Sequence, residues 1–224
     1  MTNPVVPIRQ DLNDQNEVLR LATAEQQAAP AILGMYAFAC ITWVAAASMA
    51  GWYGSSQSDL LMVPFAAMFG GLAQFIAGMW AFKTRDVVST VFHALWGAFW
   101  LAFGLVGLVV MSHPTNAANT APHFGWWLVV LAATTWMLCA ATFKANPLMG
   151  WFMAMVALGA TFGFIGDFVN GRFWSGLAGY CWLASAIIAW ILGSKLLLRV
   201  CGVQIHMPHK SSAREIPIRH SPME

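Results

Sequence analysis

The sequence predicts an all-α membrane protein: six transmembrane helices bundled around a candidate pore, with both termini cytoplasmic. Composition comes first. Of 224 residues, 59% are hydrophobic and 9% charged, whereas a soluble globular domain carries roughly 25% charged residues. Length comes second. Six apolar segments, near 30–52, 59–82, 87–111, 124–143, 147–168 and 173–198, each match or exceed the roughly 20 residues that span hydrocarbon as a helix. Charge placement comes third. With six spans, ten basic residues (Arg9, Arg20, Lys83, Arg85, Lys144, Lys195, Arg199, Lys210, Arg214 and Arg219) fall on one side and only Arg172 on the other. The positive-inside rule makes the basic side cytoplasmic.

Residues 1–29 read as a polar cytoplasmic N-terminal segment. They hold Arg9, Asp11, Asp14, Glu17, Arg20 and Glu25 without an apolar core, unlike a secretory signal peptide. Within them, QNEVLRLATAEQQ reads either as a short amphipathic surface helix or as a mobile tail. The membrane domain covers 30–202. Its first span opens on Pro30, a residue suited to a first helical turn because the missing N–H has no helical partner there anyway. Asp59 sits where the second span starts and favours the positive end of a helix dipole.

The second span contains FGGLAQFIAGMWAF, in which Gly70, Gln74 and Gly78 recur every four residues and Gly71 lies beside them. That spacing puts them on one helix face. Small residues there let another backbone come close, since lipid gives no hydrophobic drive for helix association. Gly97 and Gly104 in span three, and Gly159 and Gly163 in span five, read the same way. Gln74 is different, because a primary amide facing lipid leaves donors and acceptors unpaired. It faces either a partner helix, as polar glue, or a wet path, as a ligand.

Span three carries His93, with Trp96, Gly97 and Trp100 on its side of the helix. An ionisable group inside a span is a functional candidate, and histidine titrates near neutral pH. The bland alternative is a neutral imidazole bonded to a neighbouring carbonyl. The loop after span three, SHPTNAANTAPH, is uncharged and rich in turn formers, fit to lie over the bundle. Asp167, at the outer end of span five, is expected to pair with Arg172 or to sit on a wet rim. Of twelve tryptophans, Trp80, Trp126, Trp127, Trp151 and Trp174 fall near span ends and fit an interfacial belt. Trp96, Trp100 and Trp182 lie deeper, packed inside or lining a path. The tail, 203–224, is basic and broken by prolines, and reads as a flexible cytoplasmic end near anionic lipid.

Several function classes drop out. The chain shows no phosphate loop, nucleophile elbow or catalytic acid pair, so no enzyme is expected. Cys40, Cys139, Cys181 and Cys201 lack ligand-like spacing, so neither a disulfide framework nor a metal site is expected. A haem would need facing histidines in the membrane, and only His93 is so placed. No cofactor and no nucleic-acid partner are expected.

FGGLAQFIAGMW followed by GAFWLAFGL resembles spans two and three of the acetate uptake transporters, also called succinate–acetate permeases. PAILGMYAF resembles that family's Asn-Pro-Ala-Pro-Leu-Gly signature, and the resemblance covers about residues 29 to 200. It implies six-helix protomers assembled as hexamers, each with its own path for small carboxylates. It further implies an apolar constriction made here by Phe38, Trp96 (where the family has tyrosine) and Val156 (where it has leucine). The family's span-two glutamine falls on Gln74. The chain also departs from the pattern, with Ala29 for the asparagine and Ile32 for the second proline. Ala81 replaces a glutamate, Arg85 to Ser89 replaces the usual Gly-Asn-Thr-Phe-Gly loop, and His93 stands at a normally uncharged position.

The function implied is a channel or proton-coupled transporter for acetate or similar small mono- and dicarboxylates, in a plasma or bacterial inner membrane. Its path would run past Pro30, Leu33, Gly34, Gln74 and His93. Gln74 would donate to the carboxylate, and the start of span one at Pro30 to Gly34 would lend positive dipole character. The partners expected are the carboxylate, protons, the lipid bilayer and further copies of the chain. The lost signature residues point to the alternative, a transport-inactive relative serving as a structural or accessory subunit among foreign membrane subunits. A third reading keeps the pore and changes the cargo to another small neutral or anionic solute.

Overall fold

A computed structural model describes residues 30–54, 56–113 and 121–203, with the side chains of 56–60 and 121–123 left aside. The polar N-terminal segment, most of the long outer loop and the basic tail lie outside the described residues, as does Ala29. The described residues form α1 (Pro30–Met49), α2 (Ser56–Phe65), a π-helix (Ala66–Ala73), α3 (Gln74–Thr84), α4 (Val87–Ser112), α5 (Ala121–Thr142), α6 (Pro147–Val169) and α7 (Arg172–Val200). The segment from α2 through α3 is one continuous span, so six helices are long and apolar enough to cross a membrane. No strand occurs among the described residues. The expected all-α, six-span class is what the structure shows.

The second span differs from expectation in its interior, which is π-helical rather than α-helical throughout. Pro64 lies one residue before the end of α2. Its ring has no N–H to give and crowds the preceding turn, so the ordinary bond ladder is broken there. It resumes in the wider i→i+5 pattern, a form that recurs at functional sites.

Consecutive spans are neighbours, and α1 closes the circuit by packing along α7. The second span lies against α1 and α4, while α5 packs on α6 and α6 on α7. The α4–α5 contact is the thin one in this ring. It is bridged by Phe99 and Phe103, whose rings lie 6.4 and 5.4 Å from that of Phe124. Tyr36 on α1 and Ser194 on α7 share a hydrogen bond of 2.9 Å.

Two glycines explain how closely the second and third spans approach. A methyl group on Gly78 would come 2.5 Å from the backbone N of Ala94, and one on Gly97 would come 2.6 Å from that of Phe75. Each helix thus offers a notch to the other's backbone, the close approach that small residues permit in lipid. Gly159, by contrast, receives the indole of Trp182, and Gly163 faces Leu128.

The short turns on the predicted cytoplasmic side are built by caps. Arg85 takes a left-handed conformation (φ 57°) that ends α3. Asp86 then caps α4, accepting from the Ser89 N–H at 3.0 Å and the Ser89 hydroxyl at 2.6 Å. The Arg85–Ser89 departure from the family's loop is therefore a complete helix-to-helix turn, not a gap. Asn146 caps α6 in the same way, accepting from Met149 N at 3.2 Å ahead of Pro147.

At the outer end, no ion pair joins Asp167 to Arg172 among the described residues. The Cβ of Asp167 lies toward α5, where a methyl on Gly125 would come within 3.2 Å of it. Of the belt tryptophans, Trp80, Trp126, Trp127 and Trp151 are exposed. The ammonium of Lys83 sits 4.6 Å above the Trp80 ring.

Candidate transport path

One face of α1 sets the inner wall. Gly34, Phe38, Ile41, Thr42, Ala45 and Ala46 follow helical spacing and are all buried, so α1 turns this stripe toward the centre. Leu33, one residue from Gly34, is 48% exposed and belongs to a different face. Pro30 is part-buried at the start of the helix.

Phe38 is the hub of an aromatic cluster. Its ring lies 5.3 Å from Phe92, 5.3 Å from Phe152 and 6.4 Å from Trp96, the last two edge-on. Such tilted and edge-to-face pairs are favourable arrangements for rings. Trp96 continues the cluster to Trp182 at 6.0 Å. Both indoles are anchored: Trp96 Nε1 donates to Thr135 Oγ1 at 3.1 Å, and Trp182 Nε1 donates to the Val156 carbonyl at 3.1 Å. Phe38, Trp96 and Val156, drawn from α1, α4 and α6, are thus joined through Phe152 and Trp182. All five are buried.

Beside the aromatic wall runs a polar one. Gln74 and His93 are wholly buried, and neither the amide atoms of Gln74 nor the ring nitrogens of His93 have a hydrogen-bond partner among the described residues. The Thr42 hydroxyl and Trp100 Nε1 are unpartnered as well. Buried polar groups in folded proteins are ordinarily satisfied, so each exception calls for an explanation.

Gln74, His93 and Trp100 share one seam, where α1, the second span and α4 meet. A methyl on Gly34 would come 2.5 Å from the His93 ring, one on Gly78 would come 3.0 Å from the His93 carbonyl carbon, and one on Gly70 would meet both Trp100 and Ile41 at under 3 Å. Gln74 lies between Gly70 and Gly78 on the same helix face, one turn from each. Since Gly97 abuts Phe75, Gln74 sits level with the Trp96 end of the aromatic cluster. The order along the seam is His93 with Gly34, then Gln74, then Trp100 with Ile41.

The second half of the ring is built otherwise. Thr135, Thr142 and Ser185 bond to their own helix carbonyls at 2.7, 2.8 and 2.8 Å. An apolar groove of about 540 Å³, lined by Cys40, Trp43, Ala186, Ile187 and Trp190 among others, opens on the outside of the α1–α7 contact and away from this seam.

Chemically, the seam offers donors from an amide, an indole, a hydroxyl and an imidazole, with no lysine or arginine among the described buried residues. No group of three or more metal-ligating side chains occurs among the described residues. Sequence reasoning placed Gln74, His93, Gly34, Phe38, Trp96 and Val156. It did not single out Phe92, Phe152, Thr42 or Thr135. Phe92 had a signal, as the neighbour of His93, and Phe152 stands one turn before Val156. Among the described residues, the His93 ring meets no carbonyl at bonding distance.

The sequence pattern of the family described as GPR1/FUN34/yaaH matches residues 12–208. The chain belongs to that family. The resemblance to acetate uptake transporters therefore stands, and the chain is an integral, multi-pass membrane protein. Family relatives include Accumulation of dyads protein 2 of Saccharomyces cerevisiae, 27% identical over 78% of this chain and 63% of the relative. Ammonia transport outward protein 2 of the same yeast is 27% identical over 66% of this chain and 52% of its own length. Acetate permease A of Emericella nidulans is 32% identical over 37% of this chain and 28% of its own. The chain spans less than two thirds of the length of these curated relatives. The solved structure of the bacterial acetate channel SatP shares the family fold, with a TM-score of 0.71 and 21% identity over 79% of this chain and 96% of that one.

Proposed function

We propose that this member of the GPR1/FUN34/yaaH family conducts acetate or similar small carboxylates across a plasma or bacterial inner membrane, transporting rather than catalysing. The observation that carries the reading is Gln74, wholly buried at the level of the aromatic cluster with both amide atoms unpartnered. An amide held there without a partner costs free energy unless something passing through supplies one. A carboxylate or carboxylic acid does so, accepting from Nε2 and, when protonated, donating to Oε1.

Phe38, Trp96 and Val156 then act as a gate, with Phe92 and Phe152 closing it from the sides. Solute passes when the rings shift, and leaves readily because no fixed cation holds it. Conduction needs binding that is favourable on entry and weak on exit. A carboxylate is costly to bury unless donors replace its water, and here the donors are neutral. The path accordingly favours acids that enter partly dehydrated or protonated. The start of α1 at Pro30 to Gly34 lends its N-terminal dipole to the mouth. Copies of the chain assemble as a homo-oligomer, each with its own path.

Radiolabelled acetate flux into proteoliposomes, with and without a pH gradient, tests this. Flux above empty vesicles, lost in Gln74→Leu, is expected. Flux indistinguishable from empty vesicles, with a foreign subunit co-purifying stoichiometrically in mild detergent, would replace the reading with that of an accessory subunit. Competition by small acids, amides, alcohols and ammonium separates acetate from other cargo.

A further inference from the structure

We propose that His93 receives the proton of an incoming carboxylic acid, so that proton and carboxylate cross the inner part of the bundle as an ion pair held at the imidazole. This rests on the carboxylate path proposed above and deepens it.

The buried polar side chains among the described residues are Thr42, Gln74, Ser89, Thr90, His93, Thr135, Thr142 and Ser185. Of these, His93 alone can carry a positive charge. Its ring is pressed against the backbone of Gly34 in the first turns of α1 and lies edge-on to Phe92 at 5.1 Å, and neither ring nitrogen has a hydrogen-bond partner among the described residues. A neutral imidazole presents one N–H donor and one nitrogen lone pair. That pair of functions matches the two ends of a carboxylic acid group, which offers an acceptor oxygen and an O–H.

The step balances without a further reactant. The acid's O–H bond breaks heterolytically, its electron pair stays on the carboxylate oxygen, and the proton bonds to the imidazole lone pair. The imidazolium and carboxylate are then joined by a charge-assisted hydrogen bond, stronger than a neutral one. Net charge in the seam stays at zero throughout, which avoids the cost of burying a lone ion. On exit the proton returns to the carboxylate, or leaves to water at the inner mouth.

The surrounding charges are few. Among the described residues, the carboxylate whose charge acts on the ring is Asp86, the cap of the same helix, and it is tied to Ser89. From α1 the ring meets Gly34, and from the second span Gly78 abuts the backbone of His93 and Ala94. The basic residues of that span are Lys83, stacked on Trp80, and Arg85 in the turn. The aromatic neighbour of the ring, Phe92 at 5.1 Å on the same helix, carries no charge.

The test uses the full-length protein in proteoliposomes and nanodiscs, with acetate as the probe. Two variants remove titration in different ways: His93→Asn keeps hydrogen bonding, and His93→Phe keeps an aromatic ring. Acetate flux above that of empty vesicles is measured from about pH 5 to 8, the range in which histidine titrates. The wild type is expected to show a steep rise toward acid pH and both variants a flattened profile. A variant with the wild-type profile overturns the proposal. Independently, ¹⁵N NMR of the histidine side chains, assigned by the resonance missing in His93→Asn, is expected to show an imidazolium signature for His93 when acetate is added at acid pH. A His93 resonance unmoved by acetate overturns the proposal whatever the flux. Absence of wild-type flux overturns the transport reading instead, so the two failures are distinguishable.

Discussion

Away from the Asp86 cap, where Ser89 and Thr90 are bonded, the two halves of the ring use buried polar groups differently. In α5 to α7 each buried hydroxyl is bonded to its own helix, and the Trp182 indole is bonded to the Val156 carbonyl. In α1 to α4, Thr42, Gln74, His93 and Trp100 are buried without hydrogen-bond partners among the described residues. Glycine use differs too: Gly78 and Gly97 bring two backbones together, whereas Gly159 makes room for a side chain. The second half thus reads as a satisfied scaffold, and the first as a wall whose bonding capacity is held for something that passes. The aromatic cluster joins them, with Phe38 and Phe92 from the first half and Phe152 and Trp182 from the second.

Substitutions can break that contrast, and the largest effect on stability is expected where the halves meet. Phe38→Ala removes the hub ring. Lipid supplies little transfer term, so the loss is the cavity part of the ~3–5 kcal/mol that Phe→Ala costs in soluble cores. Unfolding in mixed micelles reads that loss, and flux assays should show longer-chain carboxylates entering. Unchanged stability and selectivity would remove Phe38 from the gate.

Next comes a matched pair of isosteric changes. Thr135→Val strands the Trp96 indole N–H and is expected to cost about 1–3 kcal/mol, the penalty for an orphaned buried donor. Thr42→Val removes a hydroxyl that bonds to nothing described and should leave stability near wild type. Equal costs at the two positions would erase the distinction between scaffold and wall.

Smaller effects are expected at the inner turns. Asp86→Ala and Asn146→Ala each remove an N-cap, worth about 0.5–2 kcal/mol. Because one cap lies in each half, similar melting shifts would show that the contrast is confined to the interior. Smallest on stability is Gln74→Leu, which replaces an unpartnered amide with a lipid-like side chain. Stability should hold or rise while acetate flux is lost, and a loss of folding with no specific loss of flux would make Gln74 structural glue.

The fold was legible because lipid simplifies it. A span must satisfy its backbone internally, so length and hydropathy located all six helices to within a few residues, and basic-residue asymmetry gave an expected orientation. The site was only partly legible, for the same reason. In a soluble helix the polar face reveals the buried one, but here both faces are apolar, so Leu33 and Gly34 looked equally eligible. The structure puts Gly34 against His93 and Leu33 on an exposed face. Phe92 and Phe152 escaped notice because their role depends on a meeting of α4 with α6 across the ring, which no single helix records. Gln74 and His93 stood out because polar atoms in an apolar span need a reason to be there. The π-helical stretch carried no signal beyond Pro64.

That stretch, Ala66–Ala73, ends where Gln74 begins. A wider turn holds roughly one residue more than an α-helical turn spanning the same height. Deleting one residue from an ordinary span rotates everything beyond it by about 100° and turns buried faces outward. In this span a single deletion can be absorbed by tightening the coil back to α. The wider turns thus act as a built-in vernier: a residue can be lost between the outer end of the helix and Gln74 while the central amide keeps its facing.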